Sequence, residues 1–119
     1  MHRKSIINLK YTINNYTIMV IFKNGVSVVG IKEETIKLIA ILNCYFYLRI
    51  GKPLVITSCT DGKHMKNSKH YSGYAIDIRT YHLSAQEIEM LIIWFKNNHD
   101  KNYDIVVEKD HIHVEYDPH

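Results

Sequence analysis

The spacing of apolar and polar residues changes several times along the chain, and each change marks an element. Residues Thr17 to Lys23 (TIMVIFK) are β-branched and aromatic and predict a strand. Asn24-Gly25 is a hairpin-turn signal, so Val26 to Ile31 is expected to return as the paired strand. Glu33 to Leu48 predicts a helix. Glu33 and Glu34 stand in its first turn, where the helix dipole favours acids, and Gly51 follows as the C-terminal cap. This segment is apolar on most sides, which predicts deep burial. Pro53 to Thr57 (PLVIT) predicts a short buried strand. Ser58 to Ser72 has no hydrophobic period, and a loop this long in a small domain points to function or disorder.

Gly73 to Arg79 alternates and predicts another strand. Ser84-Ala85-Gln86-Glu87 forms a capping box, with Ser84 as the N-cap of a helix running to about Asn98. Ile88, Leu91, Ile92 and Phe95 are its expected buried face. Tyr103 to Val107 and Ile112 to Tyr116 predict two strands around a tight turn near Glu108 to Asp110. The fold class is α+β: one domain over residues 1–119, an antiparallel sheet with two main helices packed against it.

Composition narrows the class. A chain of 119 residues that is 46% hydrophobic has the size and apolar content of one folded domain. The longest apolar stretch, Ile36 to Ile50, is broken by Lys37, Asn43 and Arg49, so no membrane span is expected. The apolar run after Arg3 and Lys4 is too short for a signal peptide. The expectation is cytoplasmic synthesis, with access to a cell wall after phage-type lysis. The net charge of +3 is mild and scattered, the pattern of ordinary solubility charge, and no nucleic-acid partner is expected. Cys44 falls in the apolar helix and is expected in the core; Cys59 falls in the loop before His70. Neither spacing nor number suggests a cystine scaffold.

The chemistry gathers in two segments, Ser68-Lys69-His70-Tyr71-Ser72-Gly73-Tyr74-Ala75-Ile76-Asp77 and Asp110-His111-Ile112-His113. They offer two imidazoles and a carboxylate, a donor set that suits a catalytic zinc ion with a fourth position left for water. His70, Asp77 and His113 are the candidate ligands. Residues two apart on a strand share a face, so His111 and His113 point one way and Ile112 points into the core. Tyr71, Tyr74 and Tyr116 flank these segments as candidate groove residues. Tyr11, Tyr16, Tyr45 and Tyr47 are expected to pack. His2, His82, His99 and His119 read as ordinary structural histidines, and His64 shares the loop with His70.

The pattern Ser-x-His-x-x-Gly-x-Ala-x-Asp followed by His-x-His resembles the LAS metallopeptidase superfamily, closest to its D-Ala-D-Ala carboxypeptidase and phage endolysin branch. The fixed positions are Ser68, His70, Gly73, Ala75 and Asp77, then His111 and His113. The resemblance covers roughly residues 53 to 117, including the strand at Val55-Ile56-Thr57-Ser58. It implies a Zn2+ site held by His70, Asp77 and His113. It also implies Asp110 as the general base, with Glu108 as the alternative base, and His111 as the stabiliser of the oxyanion. Ser68, Arg79 and Tyr71 are the substrate-binding or supporting candidates. The implied substrate is a peptidoglycan stem peptide. The alternative is a non-catalytic zinc-containing module that binds cell wall or builds a phage particle, since hedgehog-like members of the superfamily are known for binding roles. Neither the oligomeric state nor the scissile bond is implied.

One departure bears on substrate choice. Family members that cleave beside a free carboxylate often carry Arg shortly after the upstream strand, whereas this chain reads Ser58-Cys59-Thr60-Asp61. Capture of a carboxylate is then expected from Lys63, Lys66 or Lys69, or not at all, which leaves room for an endopeptidase.

Overall fold

The β-branched segments build a single six-stranded sheet, within which residues 76–79 and 111–114 alternate between the buried core and a less buried face. The structure is a computed structural model and describes residues 8–13, 16–62, 67–98 and 101–118. The strands are β1 (Asn8–Ile13), β2 (Tyr16–Phe22), β3 (Leu54–Ser58), β4 (Ala75–Arg79), β5 (Tyr103–Val107) and β6 (His111–Tyr116). Their spatial order is β1-β2-β3-β4-β6-β5. Four neighbouring pairs are antiparallel, and β2 with β3 is parallel. The α+β class, the two helices and five of the strands follow the sequence pattern.

The expected hairpin after Asn24-Gly25 does not form. Gly25 takes a left-handed φ of 89° and Val26 N–H donates to the Lys23 carbonyl, so the chain does turn there. It leaves the sheet, however, and residues 26–31 form no strand. The partner of β2 is instead β1, on its other edge, and the parallel step from β2 to β3 requires a crossover, which the first helix supplies.

That helix, α1 (Glu33–Tyr45), continues into one wide turn over Phe46–Ile50. The turn closes where Gly51, at φ 73°, donates its N–H to the Phe46 carbonyl. Burial of α1 is one-sided, short of the deep burial expected. Leu38, Ile39 and Leu42 are buried, whereas Ile36, Ile41 and Leu48 face outward. Cys44 lies on that outer face, exposed, which corrects its expected place in the core. The second helix, α2 (Ala85–Asn98), starts with the capping box intact: Ser84 N–H donates to Glu87 Oε1 at 2.8 Å and Glu87 N–H donates to Ser84 Oγ at 3.0 Å. Leu91 and Phe95 are buried, and Ile88 and Ile92 pack half-buried against the core. Tyr45 and Trp94 stack with ring centroids 4.3 Å apart and join the two helices.

Both helices cover the sheet face that carries Ile76, Ile78, Ile112 and Val114, all fully buried. The intervening residues, Asp77, Arg79, His111 and His113, therefore project from the opposite face. The two-residue period of the strands thus separates core from candidate chemistry.

Candidate metal centre

Register places the donors. In the β4–β6 ladder Asp77 lies opposite His113, and Arg79 lies opposite His111. His70 comes from the loop between β3 and β4, which folds back over the sheet. Within that loop Ser68 Oγ accepts the His70 N–H at 3.2 Å, Gly73 N–H donates to the His70 carbonyl, and Tyr74 N–H donates to the Lys69 carbonyl. Gly73, at φ 82°, presses against Gly30, and its carbonyl accepts the Thr35 hydroxyl at 2.7 Å and the Lys32 N–H at 3.1 Å. The histidine loop is thereby fastened to the first turn of α1, and His70 is only 2% exposed.

Three donor atoms converge. His70 Nε2 lies 3.1 Å from Asp77 Oδ1 and 3.2 Å from His113 Nδ1, and His113 Nδ1 lies 3.0 Å from Asp77 Oδ1. The remaining nitrogen of each ring has its own partner. His70 Nδ1 is 2.7 Å from the Cys59 carbonyl, and His113 Nε2 is 2.8 Å from Glu115 Oε1. Both partners are acceptors, so each ring can carry its hydrogen on that side. Neutral rings in these tautomers turn two lone pairs and a carboxylate oxygen towards one point. The His70–Asp77–His113 group can hold a metal ion.

The electrostatics agree with a cation-seeking centre. Burial raises the Asp77 carboxyl, but with a proton in place of a cation the facing ring nitrogens of His113 and His70 donate hydrogen bonds that outweigh it and hold Asp77 well below the usual carboxylate range. The hydrogen bond to Asp77 raises His113 against the opposing effect of burial, and Glu115 adds to the rise. A partly buried site that stabilises positive charge this strongly is a functional candidate.

A cleft of about 650 Å³ opens over the same face and is lined by residues that include Val55, Thr57, Asp77, Arg79, Asp110 and His111. His111 Nε2 stands 3.8 Å from Asp77 Oδ1, while its Nδ1 lies 2.6 Å from Asp110 Oδ1. Asp110 is 86% exposed at the rim, and its bond to His111 lowers its pKa. Glu108, also exposed, lies on the turn before β6 and is not among the cleft residues. Arg79 does not touch the three donors; its Nη1 donates to the Tyr81 hydroxyl at 2.8 Å and its Nε to His82 Nδ1 at 3.3 Å.

Other expected residues fall elsewhere. Tyr71 is half-exposed on the loop, outside the cleft. Tyr74 and Tyr116 pack on each other, Tyr116 also packs on Tyr103, and neither Tyr74 nor Tyr116 lines the cleft. The tyrosine that does line it is Tyr81. Lys69 pairs with Asp117 at 3.5 Å. Lys63, His64 and Lys66, with His2, His99 and His119, lie outside the described residues, as do the side chains of Tyr11 and Tyr16. Asp61, where an arginine was sought, is part of the scaffold: its Oδ1 accepts the N–H groups of Cys59 at 2.9 Å and Ser27 at 3.0 Å.

Two contributors escaped the sequence reading. Glu115 was legible in principle, since it stands two residues after His113 on the same strand face. The Cys59 carbonyl carries no side-chain signal and depends on how the loop closes. No helix among the described residues is long and apolar enough to cross a membrane. No known family, curated protein or solved structure matches the chain.

Proposed function

We propose that the protein is a zinc metallopeptidase that hydrolyses a peptide bond in peptidoglycan stem peptides. The observation that carries this reading is the convergence of His70 Nε2, Asp77 Oδ1 and His113 Nδ1, with an acceptor beside the remaining nitrogen of each ring. Tetrahedral zinc with bonds of about 2.0–2.1 Å spaces its ligand atoms by roughly 3.3 Å. The spacings of 3.0 to 3.2 Å are within a few tenths of that. Two imidazoles and one carboxylate also favour zinc over calcium or magnesium, which prefer oxygen donors in higher number.

Bound at this centre, zinc would acidify a water molecule and polarise a peptide carbonyl. The protein's own groups supply the rest. Asp110 keeps one carboxylate oxygen on His111 and has the second for a proton taken from water and returned to the leaving amine. Its lowered pKa keeps it ionised. His111, held by Asp110 at Nδ1, turns Nε2 towards the candidate centre, and with both ring nitrogens protonated it would donate a hydrogen bond to the developing oxyanion. The peptidoglycan assignment rests on the motif resemblance in the His70 and His113 segments.

The test is elemental analysis of purified wild type, His70→Ala and Asp77→Asn, paired with mass spectrometry of peptidoglycan fragments incubated with each. We expect about one zinc per chain, lost in both variants, and new fragments from wild type alone. Zinc retained without new fragments would favour a cell-wall-binding module. Absence of zinc from metal-replete wild type would refute the assignment.

A further inference from the structure

The cleft has a second chemical character besides its metal-binding end. Lys23 and Arg79 both line it. Among the described residues neither has a carboxylate within ion-pair distance. Arg79 is nonetheless held in place. Its guanidinium stacks on the Tyr81 ring, 4.3 Å from the centroid, and its two bonded nitrogens reach neutral partners, the Tyr81 hydroxyl and His82. His82 is itself fixed by the Pro53 carbonyl at 2.9 Å. A guanidinium positioned by neutral groups keeps its full charge for an anion that enters the cleft.

Its position defines which anion. Asp77 and Arg79 share one face of β4, opposite His113 and His111 in the ladder. Two residues along a strand separate their Cα atoms by about 6.6–6.8 Å. A single residue of extended peptide spans roughly 3.3–3.6 Å. With a carbonyl at the candidate centre, an extended substrate running along this face would carry its next carboxylate towards the Arg79 end of the same cleft.

Resting on the peptidase reading, we infer that Arg79, assisted by Lys23, binds the free C-terminal carboxylate of the substrate, so that the protein removes one terminal residue rather than cutting within a chain. The cleft thereby replaces the role sought at Asp61, whose carboxylate is committed to the loop backbone. The lysines proposed from sequence do not supply it: Lys69 pairs with Asp117 away from the cleft.

The experiment compares two probes, N-acetyl-D-alanyl-D-alanine and its C-terminal amide, on zinc-loaded protein. Binding is followed by NMR shift titration and hydrolysis by release of D-alanine or its amide. Wild type should bind the free acid about tenfold to a hundredfold more tightly than the amide, as expected for hydrogen bonds to a charged group. Arg79→Gln should lose that preference, Arg79→Lys should keep part of it, and Lys23→Gln should weaken it. Zinc content checks that each variant folds. Equal binding of the two probes, binding of neither, or a preference that survives in Arg79→Gln would overturn the subsite. Arginine-dependent binding without hydrolysis would uphold the subsite and overturn the peptidase reading instead.

Discussion

Glu115 Oε1 stands 2.8 Å from His113 Nε2, and as an acceptor there it favours the tautomer that leaves Nδ1 free towards Asp77 and His70. The same contact makes the ring a better electron donor. Glu115→Ala removes the acceptor while leaving all three proposed ligands in place. The expected result is metal affinity reduced by about 10–100-fold, the range seen when such supporting groups are lost. Competition with a chromophoric chelator reads this directly. Unchanged affinity would mean that Glu115 has no part in orienting the ring.

Acidity should act on the metal-free and metal-loaded protein in opposite directions. His113 is raised, so its contribution to metal-free stability is complete below the ordinary histidine range and fades as pH rises through the raised value. Asp77 is lowered, so its contribution is present above the ordinary carboxylate range and is lost as pH falls towards the depressed value. Zinc must displace the His113 proton to bind there, so its affinity should grow as pH rises over the interval in which metal-free stability declines. Melting temperatures measured from pH 5 to 8 with and without zinc test both slopes. A zinc-induced shift that stays flat across this range would count against His113 as a ligand.

The loop that delivers His70 depends on a close backbone approach. A Cβ at Gly73 would clash with the Gly30 carbonyl oxygen, and the residue already takes φ 82°. Gly73→Ala therefore adds a backbone clash to left-handed strain, which by itself costs about 1–3 kcal/mol. We expect a fall in melting temperature of roughly 5 °C or more, together with weaker metal binding, since the loop must shift to relieve the clash. Thermal unfolding monitored by circular dichroism measures the first effect and chelator competition the second. A protein as stable as wild type would show that Gly30 yields at no cost.

Periodicity made the sheet and its two faces legible, because Ile76, Ile78, Ile112 and Val114 alternate with the polar residues of the site along β4 and β6. The same local rule misled at Asn24-Gly25. A turn signal fixes a reversal of direction but not the partner to which the chain returns, and here the segment serves α1 and the Asp61 clasp instead. Cys44 was misplaced for a related reason: an apolar helix on one side of a sheet still has an outer face. Motif spacing was enough to bring His70, Asp77 and His113 together. The cationic end of the cleft was not legible as a unit, since Lys23, Arg79 and Tyr81 meet only once β2 and β4 are assembled on either side of β3.

Asp110 and Glu108 compete for the role of base, and their surroundings separate them. Asp110 lines the cleft and bonds to His111, whereas Glu108 is not among the cleft residues. Asp110→Asn keeps the shape but loses the charge that accepts a proton. General acid–base groups contribute about 10²–10⁴-fold, so a loss of that size in kcat is expected, with zinc content unchanged. Glu108→Gln should keep nearly full activity. The reverse pattern would move the base to Glu108 and require the turn before β6 to fold inward when substrate binds. Loss of zinc from Asp110→Asn would instead make Asp110 part of the metal-holding structure, because a carboxylate acting only on protons has no reason to alter metal occupancy.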